Sequence, residues 1–589
     1  MNELLKFYQQ EKKRFEQKRD LLKKKINLFS VLRMGVFLLI FPATYYTFHN
    51  KPLLVVISLF CMIGFVFLVL RHQSLVNERK LTEQMIRING VEIDALHRKY
   101  SSLPEGSEFI DAKHYYSNDI DLFGKGSFFQ YMNRTATFSG RKALADILLK
   151  NDPDQIVSRQ EVIIELSKKV SWRQHFLALA KMVRVDVDHK TIISWIHSYK
   201  SFLPSIMAYL PFIFASLSIL FTLLLVFDLV SFYLLVVWFF IGLFITFPYF
   251  QRINHLYLDA GMLKDTFKQY HSLLQEIEDL AINSSLARDQ QLKIQSSKKK
   301  ASVIFKDFSK ILDAFDQRNN MLFGILGNGF FLWDIRQTYK IDIWIKTYQF
   351  QVENWFDVIA YFDAQISLSN YAFNHLDHHY PEVVQNDRII QAIALGHPLL
   401  DEQTRVNNDF SINEKDFHIV TGANMAGKST FLRTISLGLV MANSGLPVCA
   451  KKMNYSPIRL ITSMRTSDSL AEESSYFYAE IMRLRFIVEQ MKQKKYFIIL
   501  DEILKGTNSK DKATGSRKFV EKLVKSGSTG IIATHDLSLC DIDKIYPQIH
   551  NQYFDAKIKN EELFFDYTLK DGICTNMNAS FLLKKMDII

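Results

Sequence analysis

Between Ile419 and Phe431 the chain reads Ile-Val-Thr-Gly-Ala-Asn-Met-Ala-Gly-Lys-Ser-Thr-Phe, an apolar strand, a glycine turn and the opening of a helix. Gly422, Gly427, Lys428 and Ser429 occupy every fixed position of the phosphate-loop pattern G-x-x-x-x-G-K-[ST]. Glycines at these places let successive backbone N–H groups curl around the oxygens of an anion. The helix that follows points its positive end at the same anion. On this reading Lys428 reaches the β- and γ-phosphates of ATP and Ser429 holds Mg²⁺. The stretch therefore predicts an α/β domain built around a buried strand and a phosphate-binding turn.

Two later stretches supply what such a loop needs. Tyr496-Phe-Ile-Ile-Leu-Asp-Glu502 is a buried strand ending in two acids. Asp501 at the strand end suits the Mg²⁺ shell, and Glu502 suits a water-orienting base. Gly530-Ile-Ile-Ala-Thr-His-Asp536 is a third apolar strand that ends at His535, where a γ-phosphate sensor needs a polar side chain. Between the loop and the Asp-Glu strand, Ser467 to Phe477 brings hydroxyls and acids to the start of a helix running from Tyr478 to Lys492. Those hydroxyls suit γ-phosphate contacts, and they equally suit a helix cap with acids in its first turn.

The rest of the chain has a different character. Its 589 residues leave room for roughly three or four domains. With 48% apolar and 13% aromatic residues, disorder is excluded as the general state and membrane segments are admitted. The four cysteines, Cys61, Cys449, Cys540 and Cys574, form no C-x-x-C pair, which argues against both a disulfide framework and a zinc site. The net charge of +11 would suit a nucleic-acid partner, but residues 1–33 alone carry ten Lys/Arg against four Asp/Glu. That surplus sits just before the first apolar run, where cytoplasmic anchoring charge belongs.

Residues 1–75 read as a basic helix followed by an apolar hairpin, about 34–48 and 53–70. Its arms lie near the lower length limit for spanning. No small-residue cleavage site is evident, so a signal peptide is not indicated. A second hairpin occupies 201–252, with uncharged arms at about 202–227 and 229–250 and Asp228 in the turn between them. Basic residues flank both hairpins on the same side, which predicts four spans with both termini in the cytoplasm. Residues 76–200 and 253–380 read as helical and cytoplasmic. In the first, Asn133 to Leu144 opens a helix after a Ser139-Gly140 turn. In the second, Lys298-Lys-Lys300 reads as a solvated face and Trp344 and Trp355 as core. The run Met321–Trp333 is too short to span and reads as a buried or membrane-surface helix. Pro381 opens the approach to the nucleotide domain, 381–589. No internal repeat or low-complexity stretch is present.

Taken together, Thr421 to Thr430, Asp501-Glu-Ile-Leu-Lys-Gly-Thr507, Ala533-Thr-His535 and Gly396-His-Pro398 resemble the MutS family, the mismatch-repair branch of the ABC-type ATPases. The Asn424-Met425 pair is more specific than the generic loop. The likeness continues through Asp566-Tyr-Thr-Leu and Ala579-Ser580. It reaches back, more faintly, to Thr135–Arg141 and Ser158-Arg-Gln160. It implies an α/β ABC-type P-loop ATPase domain preceded by an all-α MutS-like core, here interrupted by transmembrane hairpins. By position it implies ATP and Mg²⁺ held by Gly422, Ala423, Asn424, Met425, Ala426, Gly427, Lys428, Ser429 and Thr430. Asp501 would complete the Mg²⁺ shell, with Glu502 and His535 catalytic. Ser475 would be the residue a partner subunit lends to the opposite nucleotide, which implies a homodimer through the ATPase domains.

The departures count as well. No mismatch-reading domain or Phe-x-Glu motif precedes the core, Glu472-Glu-Ser474 stands for the usual Ser-Gly-Arg, and Leu504 stands for a glycine. The sequence thus predicts a multi-pass ATPase of the cell membrane, in contact with lipid. DNA and a membrane protein remain alternative loads, and a scaffold with a degenerate site is a third reading.

Overall fold

The helical part is built on long helices because its apolar residues recur at helical spacing for tens of residues. The computed structural model describes residues 2–47, 51–182, 189–295, 299–465, 476–505, 507–559 and 562–574. Two helices of 46 residues each, α1 (Asn2–Thr47) and α2 (Lys51–Leu96), pack against one another. Leu22 and Ile26 meet Leu75, and Lys18 pairs with Glu78 at 2.8 Å. The basic stretch and the first apolar run thus form one helix, α1, and the second apolar run continues into the polar stretch after it as α2.

Five short helices follow: α3 (Phe128–Met132), α4 (Phe138–Lys150), α5 (Ile156–Ser167), α6 (Val170–Met182) and α7 (His189–Ser198). The apolar pair α8 (Leu210–Val226) and α9 (Phe232–Thr246) turns at Asp228. Three helices, α10 (Phe250–Glu278), α11 (Ser285–Gln295) and α12 (Ala301–Asp316), lead to α13 (Met321–Phe331). The 42-residue α14 (Trp333–Asn374) then runs through the core, with Trp344 and Trp355 both buried.

Two expectations need correction here. Ser139 and Gly140 do not form a turn. They lie in the first turn of α4, whose N-cap is Thr137, its hydroxyl accepting from the Gly140 N–H at 2.9 Å. Nor is α13 buried. Met321, Leu322, Ile325 and Leu326 point outward, while its other face packs on α9 and the Ser218 hydroxyl donates to Phe330 O at 2.6 Å. Among the described residues, Leu59–Leu96 and Phe232–Gly261 are long and apolar enough to cross a membrane, and Leu210–Val226 and Met321–Phe331 are shorter apolar helices.

The C-terminal part changes to α/β. Strands β1 (Glu382–Val383), β2 (Arg388–Leu395) and β3 (Asn408–Asn413) precede β4 (Phe417–Gly422), which leads through the phosphate loop into α15 (Lys428–Asn443). Then come β5 (Lys452–Tyr455), β6 (Arg459–Ser463), α16 (Tyr476–Met491), β7 (Tyr496–Asp501), α17 (Ser509–Lys525), β8 (Thr529–Ala533), β9 (Ile549–Lys559) and β10 (Glu562–Asp571). A small sheet is ordered β1-β5-β2-β3 and the main one β10-β9-β4-β8-β7-β6. In the main sheet only β10 runs antiparallel to its neighbour. Every residue of β4 and β8 is buried, the mark of parallel strands covered on both faces.

The start of the helical region closes the β6 edge. Thr462 N–H donates to Tyr115 O at 2.9 Å, the Tyr115 ring stacks on Tyr496, and Arg483 donates to the carbonyls of His114 and Tyr115. The backbone groups of an otherwise open edge are thereby used.

Candidate nucleotide site

The C-terminal ends of β4, β8 and β7 lie side by side, and open parallel sheets place their ligand crevices at such ends. A cavity of about 620 Å³ opens there. Ala423 to Thr430 line it together with Asp501, Glu502 and His535, so the residues singled out from the sequence around the loop converge on one space. Gly422 closes β4 beneath it. Ser475 lies outside the described residues, as do Glu472 to Ser474, Ala579 and Ser580.

The loop geometry follows from residue size. Gly427 caps α15 with a φ of 103°, and a Cβ there would stand 3.1 Å from the Tyr567 ring. Only glycine combines that backbone angle with that approach. Lys428, 6% exposed, folds back over the turn and donates to Gly422 O at 2.8 Å and Ala423 O at 3.1 Å. Burial lowers its pKa, and the nearby Glu502 and Asp501 oppose that shift. The Ser429 hydroxyl donates to Asp501 Oδ2 at 2.7 Å. Two hard oxygen groups so placed fit Mg²⁺, which takes its remaining ligands from phosphate and water. No cluster of three or more His, Cys, Asp or Glu forms a separate metal centre among the described residues.

Glu502 follows β7 and takes a φ of 48°. Its N–H is held by Ala533 O at 2.9 Å, which ties the end of β7 to β8. Its Oε1 lies 2.9 Å from His535 Nε2. This hydrogen bond, with lesser help from Lys505, outweighs burial and holds the Glu502 carboxyl at about 2 instead of 4.5. The same His535 nitrogen stands 3.1 Å from Lys428 Nζ. Protonated, Nε2 donates to Glu502; bare, it accepts from Lys428. One ring thus links the loop lysine to the acid at the strand end.

Sequence reasoning missed the supports. Glu480 on α16, 4% exposed, accepts the N–H groups of Leu504 at 2.6 Å and Lys505 at 3.0 Å. Leu504, at the position where the family likeness expects glycine, has a φ of 61°. The Glu480 carboxylate is what holds a leucine in that left-handed conformation. An acid on the buried face of an amphipathic helix was the available signal for it. The register shift between Phe565 and Leu569 in β10 brings Tyr567 to the cavity wall. On the other side, His397 and Arg405 line the cavity. Burial, and then Arg433 and Arg405, push the His397 pKa down to about 4.

The arrangement can cradle a triphosphate, supply a metal site and present a carboxylate to a water molecule. Residues 418–584 match MutS domain V. The chain is 31% identical over 212 residues to the DNA mismatch repair protein MutS of Thermotoga maritima, covering 35% of this chain and 26% of that protein. It is 30% identical over 233 residues to the human MutS protein homolog 4, covering 38% and 24%. It is 32% identical over 199 residues to the MutS of Aquifex pyrophilus, covering 33% and 23%. The chain thus matches about a quarter of the length of these relatives. The C-terminal α/β domain is similar to MutS domain V, and that similarity supports membership of the MutS family.

Proposed function

We propose that this chain is a membrane-anchored, MutS-related ATPase that hydrolyses ATP in composite sites formed by a homodimer. The observation that carries the reading is the convergence of Lys428, the Ser429–Asp501 pair and the Glu502–His535 pair on one cavity. Lys428 exchanges its bonds to Gly422 O and Ala423 O for phosphate oxygens. Ser429 and Asp501 would hold Mg²⁺, which would supply charge neutralisation for the transferring phosphoryl group. Glu502, kept ionised by His535, orients the attacking water and takes its proton. His535 reports the state of the site through its choice between Lys428 and Glu502. Ser475 of the partner subunit would complete each site.

The membrane part of the reading is supported by apolar side chains left open to the surroundings, among them Phe60, Phe212 and Phe244, each at least 75% exposed. Exposed apolar surface on this scale needs lipid or protein to cover it. The relatives named for DNA mismatch repair make DNA one candidate load. The apolar helices favour a second load, a membrane protein moved by the ATPase cycle.

ATP turnover by the full chain in detergent, with Mg²⁺ and with or without duplex, mismatched and branched DNA, separates these. Stimulation by DNA that fades with salt supports the first load. Stimulation by lipid or a membrane protein, with DNA inert, supports the second. An absence of Mg²⁺-dependent turnover under all conditions would overturn the enzymatic reading.

A further inference from the structure

Loop 396–406 is a thin wall with a cavity on each side. Its His397, Leu400 and Thr404 face the nucleotide cavity. Its Pro398, Asp401 and Gln403 face a second cavity of about 710 Å³. Arg405 borders both. The far side of this second cavity is made by Asn2 to Leu4 at the start of α1 and by Leu96 to Arg98 at the end of α2.

The α1–α2 end is firmly seated. Tyr8 OH donates to Asn374 Oδ1 at 2.7 Å, and Asn374 Nδ2 donates to Glu92 Oε2 at 2.9 Å. Arg134 Nε donates to Glu92 Oε1 at 2.6 Å, both side chains being buried. From that seat Arg98, with a φ of 59°, reaches the wall. Its Nη1 donates to Leu399 O and its Nη2 to Leu400 O, each at 2.6 Å. The two carbonyls belong to successive residues, so the planar guanidinium fixes the orientation of the peptide between them. Leu400 lines the nucleotide cavity.

We propose that Arg98 is a positioning residue for the nucleotide. It acts through Leu399 and Leu400 to set the wall of the cavity, so that the α1–α2 hairpin controls the affinity for a nucleoside triphosphate. The inference rests on the nucleotide reading of that cavity. Arg98 touches no substrate; its influence passes through the backbone of the loop. The consequence is a short mechanical link between the apolar hairpin and the ATP site.

The test is equilibrium binding of a fluorescent ATP analogue, with Mg²⁺, to the full chain in detergent. Wild type, Arg98→Ala, Arg98→Lys and Lys428→Ala are compared, with melting temperatures for each. Two charge-assisted hydrogen bonds are lost in Arg98→Ala, and the expected weakening is about three- to tenfold. It should appear in the KM for ATP more than in kcat. Arg98→Lys should recover part of the affinity, since an ammonium still donates to one carbonyl. Wild-type affinity in Arg98→Ala, with Lys428→Ala impaired, overturns the link and leaves the nucleotide reading standing. Wild type that binds no nucleotide, or Lys428→Ala that binds like wild type, overturns the nucleotide reading and the link with it. A fall in kcat alone, with KM unchanged, assigns Arg98 a merely structural part and also overturns the link.

Discussion

His535 Nε2 stands 2.9 Å from Glu502 Oε1, joining residues that the chain separates by a helix and a strand. This contact holds Glu502 as a carboxylate, which can accept a hydrogen bond from water but is poorly suited to donate a proton. Glu502→Gln keeps the shape and removes the base. Hydrolysis should fall by about 10²–10⁴-fold while ATP still binds. Single-turnover assays and retention of labelled ATP on the purified protein check this. Near-normal turnover by the variant would refute the base assignment.

The Ser429–Asp501 pair predicts a metal phenotype distinct from the base phenotype. Asp501→Asn leaves a neutral oxygen where the cation is held. The Mg²⁺ concentration for half-maximal activity should rise about tenfold or more. Titrating Mg²⁺ at saturating ATP measures it. If the variant loses rate at every Mg²⁺ concentration with an unchanged midpoint, Asp501 acts elsewhere.

How much of this was legible in the sequence divides along a physical line. The strand, turn and helix of the loop are local, and each strand-end group follows a run of apolar residues, so short-range pattern reveals them. The buried continuity of β4 and β8 was legible for the same reason. Glu480, Tyr567 and Arg98 act across long sequence separations, and no local pattern says which loop each will meet. Leu504 could be seen as a departure, but that it keeps the left-handed backbone required a view of Glu480 beneath it. Ser139-Gly140 misled because Ser-Gly is ordinary turn chemistry. There the glycine answers a tertiary demand, the carboxylate of Asp363 pressing on α4 from α14.

That demand gives a stability prediction. A Cβ on Gly140 would overlap the Asp363 carboxyl, which is fully buried and accepts from Ala136 N at 3.0 Å and from the Thr137 N–H and hydroxyl at 2.8 and 2.7 Å. Alanine normally favours a helix interior. Here overpacking and disrupted buried hydrogen bonds should reverse that preference, and Gly140→Ala should lose about 2 kcal/mol or more. Denaturation of wild type and variant decides it; equal or greater stability in Gly140→Ala would mean that α4 and α14 do not meet as described.

Buried histidines make the fold less stable in mild acid. The neutral His375 ring donates from Nδ1 to Tyr371 O at 2.8 Å and accepts at Nε2 from Tyr131 OH at 2.9 Å. Burial lowers its pKa from 6.5 to about 4, Asp377 opposing and Arg134 and Arg98 assisting. His397 is likewise lowered to about 4 by burial, Arg433 and Arg405. The unfolded chain binds these protons below pH 6.5 and the folded chain does not until about pH 4. Stability is therefore fully present above 6.5 and falls as pH drops toward 4, by up to about 1.4 kcal/mol per pH unit for each such ring. Glu502 acts in the other window: its depressed pKa contributes stability above 4.5 that is lost only as pH falls toward 2. A melting temperature that declines between pH 7 and pH 4.5 thus reports the histidines and not Glu502. His397→Gln should make that decline shallower. An unchanged slope in the variant would show that His397 takes up its proton as readily in the folded chain as in the unfolded one.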